Sequence, residues 1–183
     1  MNITCIKNSE TTNTSKILLI GIGTAGSSVV QTAAQRHNDA RLNCYLCDEP
    51  AGCANEPKRG RRYAITLLPE LDEITKGCIQ KVILISALGG GTGSGATPLI
   101  ANYFVAKGVA LRCVVSLPFE FEGEHRQTNA KSAVYELLNV AASTKVINLA
   151  RYAKFCNPDE QFGTFMDKVD LIFIKEIASL LDE

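Results

Sequence analysis

Gly89-Gly90-Gly91-Thr92-Gly93-Ser94-Gly95 carries the strongest chemical signal in this 183-residue chain. Five glycines in seven residues leave backbone N–H groups unshielded and permit positive φ, so several donors can converge on one anion. Thr92 and Ser94 add hydroxyl donors. The apolar run Val82-Ile83-Leu84-Ile85 ahead of the loop predicts a buried strand, and residues 96–107 behind it predict a helix with Pro98 in its first turn. The positive end of that helix would add to the same point. Strand, glycine loop and helix in this order suit a phosphate chain. No lysine follows to reach the outer phosphates, so the segment is not a P-loop.

A second glycine turn, Gly21-x-Gly23-x-x-Gly26 within Ile20 to Ser28, satisfies the dinucleotide fingerprint. Asp48 closes the next expected strand, where a ribose-binding acid would sit. An NAD-type domain is therefore a rival reading. It has no need of Gly89–Gly95 after a later strand, and that second loop argues against it. Further on, Glu122 and Arg126 stand one helical turn apart, either as ligand contacts or as an i,i+4 ion pair.

These segments resemble the tubulin/FtsZ family. Gly89 to Gly95 is similar to its signature loop, Ile20 to Ser28 to the first glycine loop of FtsZ, and Pro118-Phe119-Glu120-Phe121-Glu122-Gly123-Glu124-His125-Arg126 to its Pro-Phe-x-Phe-Glu-Gly-x-x-Arg segment. The resemblance runs from about Lys16 to the C-terminus and implies one guanine nucleotide, GTP or GDP, with Mg2+ as a companion. It implies that Gly23, Thr24, Ala25, Gly26, Ser27 and Ser28 lie along the α- and β-phosphates, with Asp48 nearby. Gly89, Gly90, Gly91, Thr92, Gly93 and Ser94 would wrap the phosphate chain, and Glu122 and Arg126 would stand at the ribose and phosphate side. Asp167, or Lys168 in a shifted register, corresponds to the guanine-binding acid of the central helix, and Phe162 or Phe165 would stack on the base.

The departures from the family pattern bear on specificity. Ser28 stands where the family turns an Asn toward guanine, and Ile147-Asn148-Leu149-Ala150 replaces Ile-Pro-Asn-Asp. A pocket that reads a base edge discriminates sharply only with its polar partners in place, so guanine selectivity is expected to be weakened. Leu68-Pro69-Glu70 runs straight into the next helix, where the family carries a glycine-rich loop near the γ-phosphate. Discrimination between tri- and diphosphate is expected to weaken as well.

Positioning these loops requires alternating strands and helices. Strands are predicted at 16–21, 41–47, 63–68, 81–88, 109–116 and 144–149, with helices at 26–37, 69–79, 96–107, 124–142 and 163–182. That alternation predicts an α/β, Rossmann-like, doubly wound sheet, mostly parallel and six-stranded, with helices on both faces. Residues 16–183 read as one nucleotide-binding domain ending at the central helix, without the family's second domain. In the last helix, apolar residues from Phe165 to Leu181 cover well over half the circumference, wider than a surface helix needs. Either its own domain buries this arc, or an apolar face awaits a partner, a second copy of the chain included.

Nineteen basic and nineteen acidic residues cancel, giving no general nucleic-acid or membrane surface. No apolar run is long enough to span a bilayer and no signal peptide is evident, so the expected setting is cytoplasmic. Residues 1–15 read as a disordered leader, most clearly the Thr-, Ser- and Asn-rich stretch from Asn8 to Ser15. The seven scattered cysteines read as reduced thiols, and Cys44 and Cys47, three apart on a strand, as pointing to opposite faces rather than to a metal. Three functions remain open: a regulator acting on full-length FtsZ or a related tubulin-like partner, a self-assembling GTPase, and a scaffold that binds no nucleotide. The expectation taken is the regulator. Its own hydrolysis would be negligible, because in the family the acid that positions water comes from a neighbouring subunit.

Overall fold

The computed structural model describes residues 3–7, 16–141, 143–153 and 162–183. Strand β2 (Lys16–Ile22) pairs in parallel with β3 (Leu42–Cys47) on one side and β4 (Ile79–Ala87) on the other. The sheet continues in parallel through β5 (Leu111–Leu117) and β6 (Thr144–Asn148). β1 (Thr4–Lys7) closes the β3 edge in antiparallel fashion, giving the order β1-β3-β2-β4-β5-β6. The chain thus winds outward from β2 in one direction and then, starting at β4, in the other. A crevice opens where such a sheet switches direction, outside the C-terminal ends of β2 and β4.

Near-continuous apolar runs are the mark of strands covered on both faces. Leu18, Ile20, Val82 and Leu84 face α2 (Pro57–Ile74), α3 (Gly91–Ala106) and α4 (Glu124–Val140), meeting Leu67, Ile100, Phe104 and Leu137. Ile17, Leu19, Ile83 and Ile85 face α1 (Gly23–Arg36) and α6 (Phe162–Asp182), meeting Val30, Phe173 and Ile177. Full burial of each such side chain contributes about 1.5–3 kcal/mol. Cys44 and Cys47 fall in opposite layers, as their spacing predicts. A short helix, α5 (Leu149–Ala153), follows β6. No helix among the described residues is long and apolar enough to cross a membrane.

Three sequence-based expectations differ from what is observed, and one left open is decided. Residues 63–68 are not a strand but the middle of α2. Their buried partners Gly60, Tyr63, Ala64, Leu67 and Leu71 recur with the helical period, while Ile65 is 56% exposed. Pro69 is tolerated inside α2 because it lies on the solvent side above Ile65, whose carbonyl can be hydrated. Second, the leader expected over 1–15 contains β1. Ile3 enters the core, its N–H donates to Glu70 Oε2 at 3.0 Å, and Lys7 Nζ donates to the His37 carbonyl at 2.5 Å. Residues 8–15 lie outside the described residues. Third, α1 and α3 begin at Gly23 and Gly91, inside the glycine loops, so Pro98 sits well inside α3.

The alternative left open concerns α6. Phe165, Val169, Phe173, Ile177 and Leu181, spaced four apart, are buried against the sheet, and Ile172 and Leu180 are partly covered. The outward side carries Asp167, Lys168, Lys175 and Ser179, with Leu171 alone exposed at 38%. The domain itself takes up the wide apolar arc. A self-association surface on this helix would have little apolar area to offer.

Candidate functional site

A cleft of about 540 Å³ occupies the switch point, within the size range of small-ligand sites. Two helices start at its floor. The first three residues of α1 (Gly23, Thr24, Ala25) and of α3 (Gly91, Thr92, Gly93) all line it. Neither helix has a side-chain cap or an acidic residue in its first turn. The amides of a helix's first turn have no partner within the helix, so two sets of unsatisfied donors and two positive dipole ends meet here. That arrangement suits a polyanion.

The backbone is shaped to allow it. Gly89 turns at φ +110°, a region that disfavours any side chain, and its N–H donates to Ser94 Oγ at 2.7 Å. A Cβ on Gly93 would lie 2.1 Å from the Ala87 carbonyl oxygen, so that glycine lets α3 approach β4. Gly90 differs from both. A Cβ there would meet nothing nearer than Asn55 Oδ1 at 4.0 Å.

The loop between β3 and α2 forms a third wall through Gly52, Cys53, Ala54 and Asn55. Gly52, Ala54 and Asn55 all have positive φ (66°, 47° and 57°), which arches the loop over the cleft. Asn129 Nδ2 on α4 donates to the Asn55 carbonyl at 2.9 Å and to the Gly89 carbonyl at 3.1 Å, tying this wall to the glycine turn. These four residues were missed in the sequence, and the expected loss of a loop at 68–70 is corrected by them. The mistaken strand at 63–68 hid a loop lying ahead of α2. Its signal was Gly52 and Asn55, both turn formers, before Pro57 at a helix start.

At the β5–β6 end the cleft is lined by Pro118, Phe119, Phe121, Glu122, Arg126, Leu149 and Met166. Glu122 Oε1 accepts the Phe119 N–H at 2.7 Å, and Oε2 accepts from Arg126 Nη1 at 2.5 Å. The i,i+4 ion pair is thus formed, and both partners still face the cleft. They are the only charged side chains among its described lining residues, and they offset each other. The attraction for an anion therefore comes from oriented backbone groups.

Of the expected site residues, Gly23, Thr24, Ala25, Gly90, Gly91, Thr92, Gly93, Glu122 and Arg126 come together here. Ser27, Ser28 and Asp48 line a smaller cleft of about 290 Å³ with Thr4 and Gln31, which shares Thr24 with the main one. Gly26 packs α1 on β4, since its Cβ would lie 2.4 Å from the Ile85 carbonyl oxygen. Gly89 and Ser94 brace each other beneath the loop. Asp167 is exposed on α6, outside the cleft's described lining, while its neighbour Met166 reaches it. Burial raises the Asp170 carboxyl above its ordinary range, and the negative charge of Asp167 adds to this. Phe165 is buried against Phe119, with ring centroids 5.7 Å apart, and does not line the cleft. The Phe162 side chain lies outside the described residues. No group of three or more His, Cys, Asp or Glu residues among the described ones could hold a metal ion.

A profile of the Tubulin/FtsZ family, GTPase domain, matches residues 48–157. The cell division protein FtsZ of Mycoplasmopsis pulmonis is 30% identical over 184 residues, spanning 90% of this chain and 45% of its own length. FtsZ of Caulobacter vibrioides is 30% identical, spanning 91% and 37%. This chain thus covers less than half the length of these relatives. Among solved structures, an empty FtsZ dimer from M. jannaschii superposes with a TM-score of 0.83 at 21% identity, over 93% of this chain and 55% of that one. A GTPγS-bound protofilament of CetZ2 from Haloferax volcanii gives 0.77 at 19% identity, over 91% and 58%.

Proposed function

We propose a guanine-nucleotide-binding role on one premise: the chain belongs to the tubulin/FtsZ family. The observation that carries the proposal is the meeting of two uncapped helix starts, at Gly23 and Gly91, in one cleft. GTP or GDP would lay its phosphates across Gly23–Ala25 and Gly90–Gly93. Hydrogen bonds to a charged group are each worth about 1.5–3 kcal/mol, so a few of these amides suffice for micromolar affinity once association costs are met. Thr24 and Thr92 offer hydroxyls rather than carboxylates to a cation, so Mg2+ would be held chiefly by the phosphates.

On the same reading, these 183 residues regulate the assembly of full-length FtsZ, or of a related tubulin-like partner, in cytoplasmic cell division. FtsZ-type filaments are head-to-tail, and the cleft side of this chain corresponds to the nucleotide face of such a contact. Docked there, it would compete with full-length subunits for that filament end. Hydrolysis by the chain alone should be negligible. The one carboxylate among the described lining residues, Glu122, already accepts from the Phe119 N–H and from Arg126, leaving it poorly placed to orient a water.

Calorimetry with GTP, GDP and ATP tests the binding step, and light scattering of FtsZ assembly with substoichiometric amounts of this chain tests the regulatory one. Heat with GTP and shortened filaments are expected. No heat with any nucleotide at millimolar concentration would leave a scaffold without ligand. Robust GTP turnover, undiminished by dilution, would overturn the expectation that hydrolysis by the chain alone is negligible.

A further inference from the structure

We propose that the open edge of β6 is a docking surface for a second copy of this chain, independent of the nucleotide cleft and of any ligand there. Strand β6 ends the sheet, with β5 on one side and no strand on the other among the described residues. The Cys113 N–H donates to the Ser143 carbonyl at 3.0 Å, and Cys113 stands in register with Thr144. In a parallel ladder this sets Lys145 and Ile147 to bond with β5 and turns the backbone groups of Thr144, Val146 and Asn148 outward. Val146 therefore presents its N–H and C=O at the open edge, flanked by the Thr144 carbonyl and the Asn148 N–H.

Open edges invite pairing, and proteins commonly guard them. The opposite edge is guarded: β1 is only 4 residues long and bulges between Cys5 and Lys7. β6 has neither a bulge nor a proline, and its one lysine, Lys145, is drawn aside to Glu176 on α6 at 3.3 Å. Apolar groups flank the edge on both faces. On α4, Asn129 and Glu136 turn toward the arch and α2, bonding Asn55, Gly89 and Arg61. The other flank of α4, on the β6 side, carries Leu138 and Tyr135, 57% and 71% exposed. On the opposite face, Tyr152 and Ile172 line a hollow of about 310 Å³ with Lys145, Arg151 and Glu176.

Symmetry selects the occupant. The outward residues are evenly spaced about Val146, so an antiparallel copy related by a two-fold axis there would exchange both Val146 bonds. The Asn148 N–H of each copy would meet the Thr144 carbonyl of the other. In that register Lys145 lies opposite Ile147 of the second copy and not opposite another lysine, and Leu138 and Tyr135 of both copies converge above the dyad. A formal net charge of zero leaves no overall repulsion between copies.

Sedimentation equilibrium without nucleotide, from about 10 µM to about 1 mM, should show monomer passing into dimer, as suits an interface under about 1,200 Å². Amide exchange read by NMR locates the contact. The Val146 and Asn148 N–H groups should exchange several-fold more slowly at the top of that range than at the bottom, while those of Lys145 and Ile147, bonded to β5, stay slow throughout. Val146→Pro removes an outward donor and keeps the β5 bonds, so it should remain a folded monomer to about 1 mM. Leu138→Glu, at an exposed position, leaves the strand untouched and sets two carboxylates against each other across the dyad, so it should weaken the dimer about tenfold or more. A monomer at every concentration, a dimer in which Val146 and Asn148 exchange does not vary with concentration, or a dimer that neither variant weakens would overturn the proposal.

Discussion

Two adjacent glycines in the signature loop should behave in opposite ways when substituted, and the difference follows from their surroundings. Gly91→Ala would put a Cβ 2.6 Å from both Cβ and the carbonyl oxygen of Cys53 and 2.8 Å from the Glu56 N. Backbone must shift, and overpacking of this kind costs about 1–3 kcal/mol. For a domain of this size that lowers Tm by roughly 2–12 °C. Gly90 has φ −76° and ψ 171°, a conformation open to any residue, and its Cβ would enter empty space toward the cleft. Gly90→Val should therefore fold with Tm within about 2 °C of the parent while its methyls occupy the phosphate floor. Losing even one or two charge-assisted bonds there costs about 1.5–6 kcal/mol, a roughly 10-fold or greater loss of GTP affinity. Thermal unfolding and GTP calorimetry on both variants separate the two effects. Undiminished GTP binding by Gly90→Val would refute the phosphate floor, and an unshifted Tm in Gly91→Ala would refute the close packing of the arch.

Other expectations follow from groups around and beyond the cleft. Asn129→Asp removes both donor bonds to Asn55 and Gly89 and sets a carboxylate against two carbonyls, so it should cost about 1–3 kcal/mol and speed amide exchange across 49–56; unchanged exchange would sever the proposed tie. Burial pushes the thiols of Cys44, Cys47 and Cys113 up to about 12, so a maleimide at pH 7 should leave them unlabelled in the native protein while exposed Cys5 and Cys78 react, as peptide mass spectrometry would read out. The Arg41 hydrogen bond holds Asp39 below its ordinary pKa, so its stabilisation is present above about pH 3.9 and is lost as pH falls through the lower folded value. Arg41→Met should flatten that acid limb in urea midpoints measured from pH 6 to pH 2.5, and parallel curves for the two proteins would count against it.

The glycine loops and the parallel sheet were legible because composition and period agree there. Ile17 to Ile20 and Val82 to Ile85 read as covered strands, and the glycines after each as turns into helices, although the helices begin within those glycines. Legibility failed where a short window satisfied two periods. Tyr63-Ala64-Ile65-Thr66-Leu67 is β-rich by residue type, yet its burial follows Gly60, Tyr63, Ala64, Leu67 and Leu71. That single misreading displaced the start of α2, and with it the wall formed by Gly52 to Asn55. β1 escaped notice because it presents mostly exposed residues and is held by distant ones, Glu70 and His37. Ser27, Ser28 and Asp48 fell into the wrong cleft for a related reason. Once a helix begins at Gly23, residues four and five places on have turned toward its flank.

The two uncapped helix starts also carry a thermodynamic debt in the empty protein. Each leaves amides without a side-chain acceptor and brings one positive pole beside another, a frustration that only solvent relieves until an anion arrives. An anion bound to the folded form alone adds stability with the logarithm of its concentration, about 2.7 kcal/mol at a hundred times Kd. Occupancy and foldedness then become one variable. A nucleotide bound there, as proposed, would lengthen the lifetime of this chain in a cell, so that scarcity of nucleotide would be read out as turnover of the protein itself.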